Sequence, residues 1–194
     1  MSVAPRVGLL ALQGGFAAHG RTLRALDVEP VEVRRPAELD GLDGLVIPGG
    51  ESTTLIKLMA FEPSWWQALP AFVGRGGVVF GTCAGLILLS HRVEPEQDSL
   101  ALLDVTVARN AWGRQVDSFE AEGRWGDGRS LPMIFIRAPR IVEVGETVDV
   151  LATYRDEPVL VASDNVLAAT FHPELTHDLA VHDAFLERVR SAGG

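Results

Sequence analysis

The chain has 194 residues, 47% of them hydrophobic, enough for one globular domain spanning 1–194 with a full core. Its 17 Lys and Arg stand against 26 Asp and Glu, a net charge of −9 that argues against nucleic acid or an anionic membrane as a main partner. A single cysteine excludes an internal disulfide, the N-terminus shows no signal-peptide pattern, and no apolar run reaches spanning length, so a cytoplasmic location is expected.

Residues 7–12 form a continuous apolar run, as expected of a strand covered on both faces. A Gln13-Gly14-Gly15 turn follows, and 19–26 fits a short helix. Residues 28–33 predict a second strand and Leu45-Val46-Ile47 a third. That third run ends in Pro48-Gly49-Gly50-Glu51-Ser52-Thr53-Thr54, where Ser52 or Thr53 is suited to cap a helix running through Met59. Residues 65–73 read as another helix and 78–80 as a fourth strand. Strands alternating with helices predict a doubly wound, mostly parallel sheet. Beyond Ser90 the pattern changes to short turn-bounded strands at 102–108, 119–125, 133–136 and 141–144. Residues 148–154 and 158–162 flank a turn and read as a hairpin, an antiparallel extension of the sheet. A strand at 166–171 runs into His172-Pro173-Glu174, and 178–190 makes the last helix, with His182, Phe185, Leu186 and Val189 on one face.

In open parallel sheets ligands bind beyond the carboxyl ends of the strands, and Gln13, Gly50 and Cys83 all fall there. The stretch Val78-Val79-Phe80-Gly81-Thr82-Cys83-Ala84-Gly85 reads as strand, sharp turn and helix start. Gly81 and Gly85 remove side chains where strand and helix pass closely, the layout of a nucleophile elbow. A thiol at a helix N-terminus has its thiolate favoured by the dipole. The competing reading is a buried core cysteine, which the flanking glycines disfavour.

A cysteine nucleophile needs a base, and the base an orienting group. Of five histidines, His19 and His182 lie on predicted helix faces and suit packing or surface roles, His91 is ambiguous, and His177 suits a helix cap. His172 directly follows an apolar strand, and Glu174, two residues on, can point the same way and fix its tautomer. A His-Pro-Glu tripeptide by itself is as well explained by an ordinary loop; paired with the elbow it makes a Cys83-His172-Glu174 triad. Pro48-Gly49-Gly50 is either a plain turn or an oxyanion hole, with Gly49 and Gly50 amides facing that of Ala84. Arg109, at a strand end, could grip a carboxylate, although a surface arginine is the commoner case. The cysteine and histidine spacing speaks against a metal site, and no phosphate-binding glycine loop or cofactor motif is present.

Gly81-Thr82-Cys83-Ala84-Gly85 together with His172-Pro173-Glu174 resembles the class I (triad) glutamine amidotransferases. Leu10-Ala11-Leu12-Gln13-Gly14, the Pro48 to Thr54 stretch, the stretch from Arg109 through Arg114-Gln115-Val116-Asp117 to Glu120, and Phe135-Ile136-Arg137-Ala138-Pro139 narrow the resemblance. They are similar to the glutaminase-subunit family of pyridoxal 5′-phosphate synthases, in the same order along nearly the whole chain. The resemblance implies a flavodoxin-like three-layer α/β sandwich and hydrolysis of L-glutamine to glutamate and ammonia, with no cofactor. Cys83 would be the nucleophile, His172 the acid and base, and Glu174 its orienter. Gly50, Glu51, Ser52, Arg109, Ile136 and Arg137 would bind glutamine, and Gln13 would respond to docking. The implied partner is a (β/α)8-barrel synthase subunit, which would receive the ammonia within a ring-shaped hetero-oligomer. Ala17-Ala18 and Trp112 depart from the usual pattern without touching the triad. Three other readings compete: a glutaminase subunit serving a different synthase, a Cys-elbow redox or chaperone-like protein, and a catalytically silent subunit that only binds the synthase. The redox proteins lack a His-Pro-Glu on a late strand, so His172 far from Cys83 would favour that reading, while an intact Cys83, His172 and Glu174 weigh against the silent subunit.

Overall fold

The computed structural model describes residues 4–109 and 118–193. The short apolar runs become β1 (Val7–Leu10), β3 (Gly44–Ile47), β4 (Val78–Thr82) and, late in the chain, β12 (Val166–Ala169). Every residue of these four strands is buried, as parallel strands covered on both faces require. With β2 (Val31–Val33) at the edge they pair in parallel in the order β2-β1-β3-β4-β12.

Successive side chains of a strand point to opposite faces, and each face collects its own core. Leu10, Leu45, Ile47 and Val79 meet α2 (Ser52–Ala60), α3 (Trp65–Gly74) and α4 (Ala84–Leu89) through Leu55, Trp65, Phe72 and Leu86. Val7, Leu9, Val46 and Phe80 meet α1 (Phe16–Ala25) and α5 (Ala180–Ala192) through Leu23, Val181, Phe185 and Val189. Three layers result, with the sheet in the middle. Beyond β12 the same sheet continues antiparallel through β11 (Glu157–Ser163), β10 (Asp149–Tyr154), β7 (Ser118–Trp125) and β8 (Ser130–Ile136). The β10–β11 hairpin turns on Arg155 and Asp156, both at positive φ (52° and 64°), as a two-residue type I′ turn demands.

Three local expectations are corrected. The strand predicted at 28–33 shrinks to Val31–Val33, because Val28 N–H closes the end of α1 on Leu23 O (3.0 Å) and Pro30 has no N–H to offer. The cap of α2 is neither Ser52 nor Thr53 but Glu51, whose carboxylate accepts from Thr53 N–H (3.1 Å) and Thr54 N–H (2.7 Å). Residues 90–94, not read as a strand, form β5 (Ser90–Glu94), which joins β6 (Leu103–Ala108) and β9 (Arg140–Val144) in a separate small sheet. Val93, Leu103, Val105, Val107 and Ile141 of that sheet share the core of α2, α3 and α4, so it covers helices rather than lengthening the main sheet. No helix among the described residues is long and apolar enough to cross a membrane.

Candidate active site

β4 passes into α4 through Cys83, which sits at φ 49° and ψ −101°, a backbone conformation rare for any residue carrying a Cβ. The reversal depends on Gly85, where a Cβ would lie 2.2 Å from Ile47 O. The thiol is nearly buried, with Sγ 4.0 Å from Ile136 O. Ala84 opens α4, so its N–H belongs to the first turn, which has no partner within the helix.

His172 follows β12, and its N–H donates to Ile134 O (2.8 Å), which ties it to β8. A 3₁₀ turn at Pro173–Leu175 then brings Glu174 back against the ring, with His172 Nδ1 2.7 Å from Glu174 Oε1. Cys83 and the same imidazole both lie against Gly49, a position whose added Cβ would meet each of them. Burial lowers the pKa of His172, but hydrogen bonds and charge from Cys83 and Glu174 outweigh it and push the ring up to about 10. Burial likewise opposes ionisation of Glu174, and the facing His19 and His172 rings overcome it and hold the carboxyl below its usual range. The resting site therefore holds an imidazolium between a carboxylate and the sulfur.

The turn after β3 packs on this pair: a Cβ on Gly49 would lie 2.4 Å from His172 Cε1 and 3.3 Å from Cys83 Cβ. Gly49 N–H, expected to face a reacting carbonyl, instead donates to Thr82 Oγ1 (2.9 Å). The Gly50 and Ala84 amides, by contrast, make no backbone hydrogen bond to another described residue. Gln13 Oε1 accepts from Glu51 N–H (3.2 Å) and steadies the same turn.

These groups line a cleft of about 330 Å³, a size suited to an amino-acid ligand. Gly50, Ser52, Arg109, Ile136 and Arg137 all open onto it. Arg109, at the end of β6, donates through Nη1 to Gln97 Oε1, which also accepts from Ser52 Oγ (3.1 Å). Its Nε is buried and has no partner among the described residues. Ile136 ends β8, and Arg137 adopts φ 43°, after Cys83 the second residue other than glycine at positive φ in this cleft. Glu51 also lines the cleft, but its carboxylate is turned to the α2 cap, where hydrogen bonds from Thr54 and Thr53 lower its pKa to about 2. Residues 110–117 of the Arg109 motif, Trp112 included, lie outside the described residues.

Sequence reasoning passed over three side chains here. His19 of α1, Thr82 of β4 and His182 of α5 are all buried, and they meet on the carboxylate side of the triad. The available signal was a polar ring on the inward face of a helix that begins at the carboxyl end of β1. His91 and His177 are exposed and do not line the cleft.

The sequence pattern described as "SNO glutamine amidotransferase family" matches residues 9–191. This chain belongs to that family. Among curated relatives, the "Pyridoxal 5'-phosphate synthase subunit PdxT" of Thermosipho africanus is 50% identical over 187 residues, covering 95% of this chain and 99% of its own. The protein of the same name from Brevibacillus brevis is 49% identical over 187 residues, covering 95% and 97%. A solved structure described as "Crystal structure of glutamine amidotransferase" superposes with a TM-score of 0.88 at 47% identity, covering 94% of this amidotransferase and 98% of that chain. The flavodoxin-like architecture expected from sequence is therefore the one observed.

Proposed function

We propose that this amidotransferase is the glutaminase subunit of a pyridoxal 5′-phosphate synthase, hydrolysing L-glutamine to L-glutamate and ammonia. One observation carries the chemistry: Cys83 on a strained elbow, His172 beside it and Glu174 2.7 Å behind share a cleft with a carboxylate-competent arginine. The relatives' printed name, at about half identity over nearly the whole chain, supports the assembly.

Cys83 Sγ attacks the side-chain amide carbon, and the oxyanion that forms faces the Gly50 and Ala84 amides. The His172 imidazolium gives its proton to the departing nitrogen, ammonia leaves, and a γ-glutamyl thioester remains on Cys83. His172, now neutral, takes a proton from water, whose oxygen attacks the thioester and releases glutamate. Glu174 stays ionised throughout and orients the ring. Arg109 holds the α-carboxylate, and Ser52, Ile136 and Arg137 complete the pocket, while Glu51 serves through its capped position rather than its carboxylate. Glutamine plus water gives glutamate plus ammonia, so the cycle balances. Ammonia then passes to a (β/α)8-barrel synthase subunit in a ring-shaped cytoplasmic complex, and the Gln13 turn lies where docking would be felt.

The test is glutamate release from L-glutamine by the chain alone and with a pyridoxal phosphate synthase barrel subunit added. Turnover that rises with the partner, and falls by at least about a thousandfold in Cys83→Ala, is expected. Equal rates in wild type and Cys83→Ala would refute the hydrolase. Stimulation by a different synthase, and not this one, would move the subunit to the other complex.

A further inference from the structure

The triad orienter has a second oxygen. Glu174 Oε1 is taken by His172, and the side chain is 1% exposed, so Oε2 needs a donor from the protein. His19 Nε2 stands 3.4 Å from Oε2, and no hydrogen bond of ordinary geometry reaches that atom from the described residues. His19 is fully buried; its Nε2 also lies 3.1 Å from Thr82 Oγ1, and its Nδ1 lies 2.9 Å from His182 Nε2.

The proton on this ring follows from the network. Burial lowers the pKa of both His19 and His182, so each ring is neutral, with one N–H and one lone pair. A proton on His19 Nδ1 would turn a lone pair toward the Glu174 carboxylate and leave Oε2 with no donor at all. A proton on Nε2 faces Oε2 and Thr82 Oγ1 instead, while Nδ1 accepts from His182 Nε2–H. The His182 Nδ1 lone pair is then without a partner among the described residues, but Oε2 faces an N–H at 3.4 Å rather than a lone pair, the smaller electrostatic cost. Thr82 Oγ1 accepts from Gly49 N–H as well, so buried polar contacts run from the triad carboxylate through His19 and Thr82 to the turn that packs on Cys83 and His172.

We infer that His19 is a positioning residue for glutamine hydrolysis, holding Glu174 through Nε2–H and tying it through Thr82 to the Gly49 turn. This rests on the triad reading above. It acts through Glu174 and touches no substrate, so it governs how well His172 stays aligned with Cys83.

Two substitutions separate the ring's atoms: His19→Gln places an amide N–H where Nε2–H stood, and His19→Asn places one only at the Nδ1 position. Glutamine hydrolysis is measured on the full chain with the barrel subunit, beside wild type and Cys83→Ala. In His19→Asn, kcat falls about ten- to a hundredfold with KM within about twofold, the scale of partners that orient an imidazole. His19→Gln stays within about fivefold of wild type. Full kcat in His19→Asn, or an equal loss in both variants, overturns the assignment. Wild type no faster than Cys83→Ala would instead sink the hydrolase reading, a distinct result. A second measurement needs no substitution and no partner: imidazole ¹⁵N shifts of the wild-type chain report the tautomers directly. His19 with Nε2 protonated and Nδ1 bare is expected; a protonated Nδ1 refutes the inference.

Discussion

The main sheet has two halves built on different rules. In β1, β3, β4 and β12 every residue is buried, and helices cover both faces. In β7 and β8 burial alternates, as in strands with one wetter face. The parallel half ends in turns so tightly packed that backbone and ring leave no room for a Cβ, at Gly49 and Gly85 above all. The antiparallel half brings Ile136 and Arg137 to the opposite wall of the cleft, with Ile136 still 37% exposed. The proposed reacting groups thus sit where the packing permits least movement, while Ile136 and Arg137 come from the more open half and Arg109 from the end of β6 in the small sheet. Changes in the parallel half should strike kcat and folding, while changes on the binding wall should strike KM.

The sharpest way to break this contrast is a methyl group. Gly49→Ala puts a Cβ 2.4 Å from His172 Cε1, whereas Gly126→Ala, just after β7, meets only Leu151 O at 3.7 Å. Gly49→Ala should cost about 1–3 kcal/mol of stability and at least about a hundredfold in kcat, with Gly126→Ala close to wild type in both. Equal behaviour of the two variants in urea unfolding and in glutamine hydrolysis would erase the distinction.

A pH series sharpens it next, because the buried rings belong to the parallel half. Burial lowers His19 and His182 from 6.5, more than the Glu174 carboxylate raises His19, and the neighbouring rings add to the lowering. Below that pH the unfolded chain therefore binds protons that the native state refuses. Stability falls on that side by about 1.4 kcal/mol per pH unit for each ring. His172 is raised to about 10, so its contribution is complete below 6.5 and fades as pH climbs toward 10. The optimum is therefore expected near 6.5, and a flat acid limb in denaturant titrations would mean that the two rings are already charged.

On the binding wall, Arg109→Ala removes the proposed carboxylate grip and should raise KM for glutamine about ten- to a hundredfold, with kcat within about fivefold. A kcat loss without a KM change would place Arg109 in the chemistry instead. The smallest effect is expected far from the cleft. Glu157→Gln breaks the half-buried Arg140–Glu157 pair (2.9 Å from Nε), which joins the small sheet to the extension. It should shift unfolding by about 0.2–1 kcal/mol and leave turnover untouched, as hydrolysis and urea midpoints would register.

The sequence by itself determined what depends on short stretches. Apolar runs bounded by glycine and proline marked the parallel strands, and the Gly81–Gly85 spacing marked the elbow. The placement of His172 and Glu174 at a strand end marked the pair proposed here as base and orienter. Each of these follows from a few neighbouring residues, whose periodicity and turn chemistry are local. Only the tertiary structure decided that Glu51 caps α2, that Gly49 N–H is held by Thr82, and that the small sheet covers helices. It alone brought His19 against Glu174, Thr82 and His182, partners up to 163 residues away in the chain. Such contacts depend on strand order and on which helix covers which face, and no local pattern encodes either.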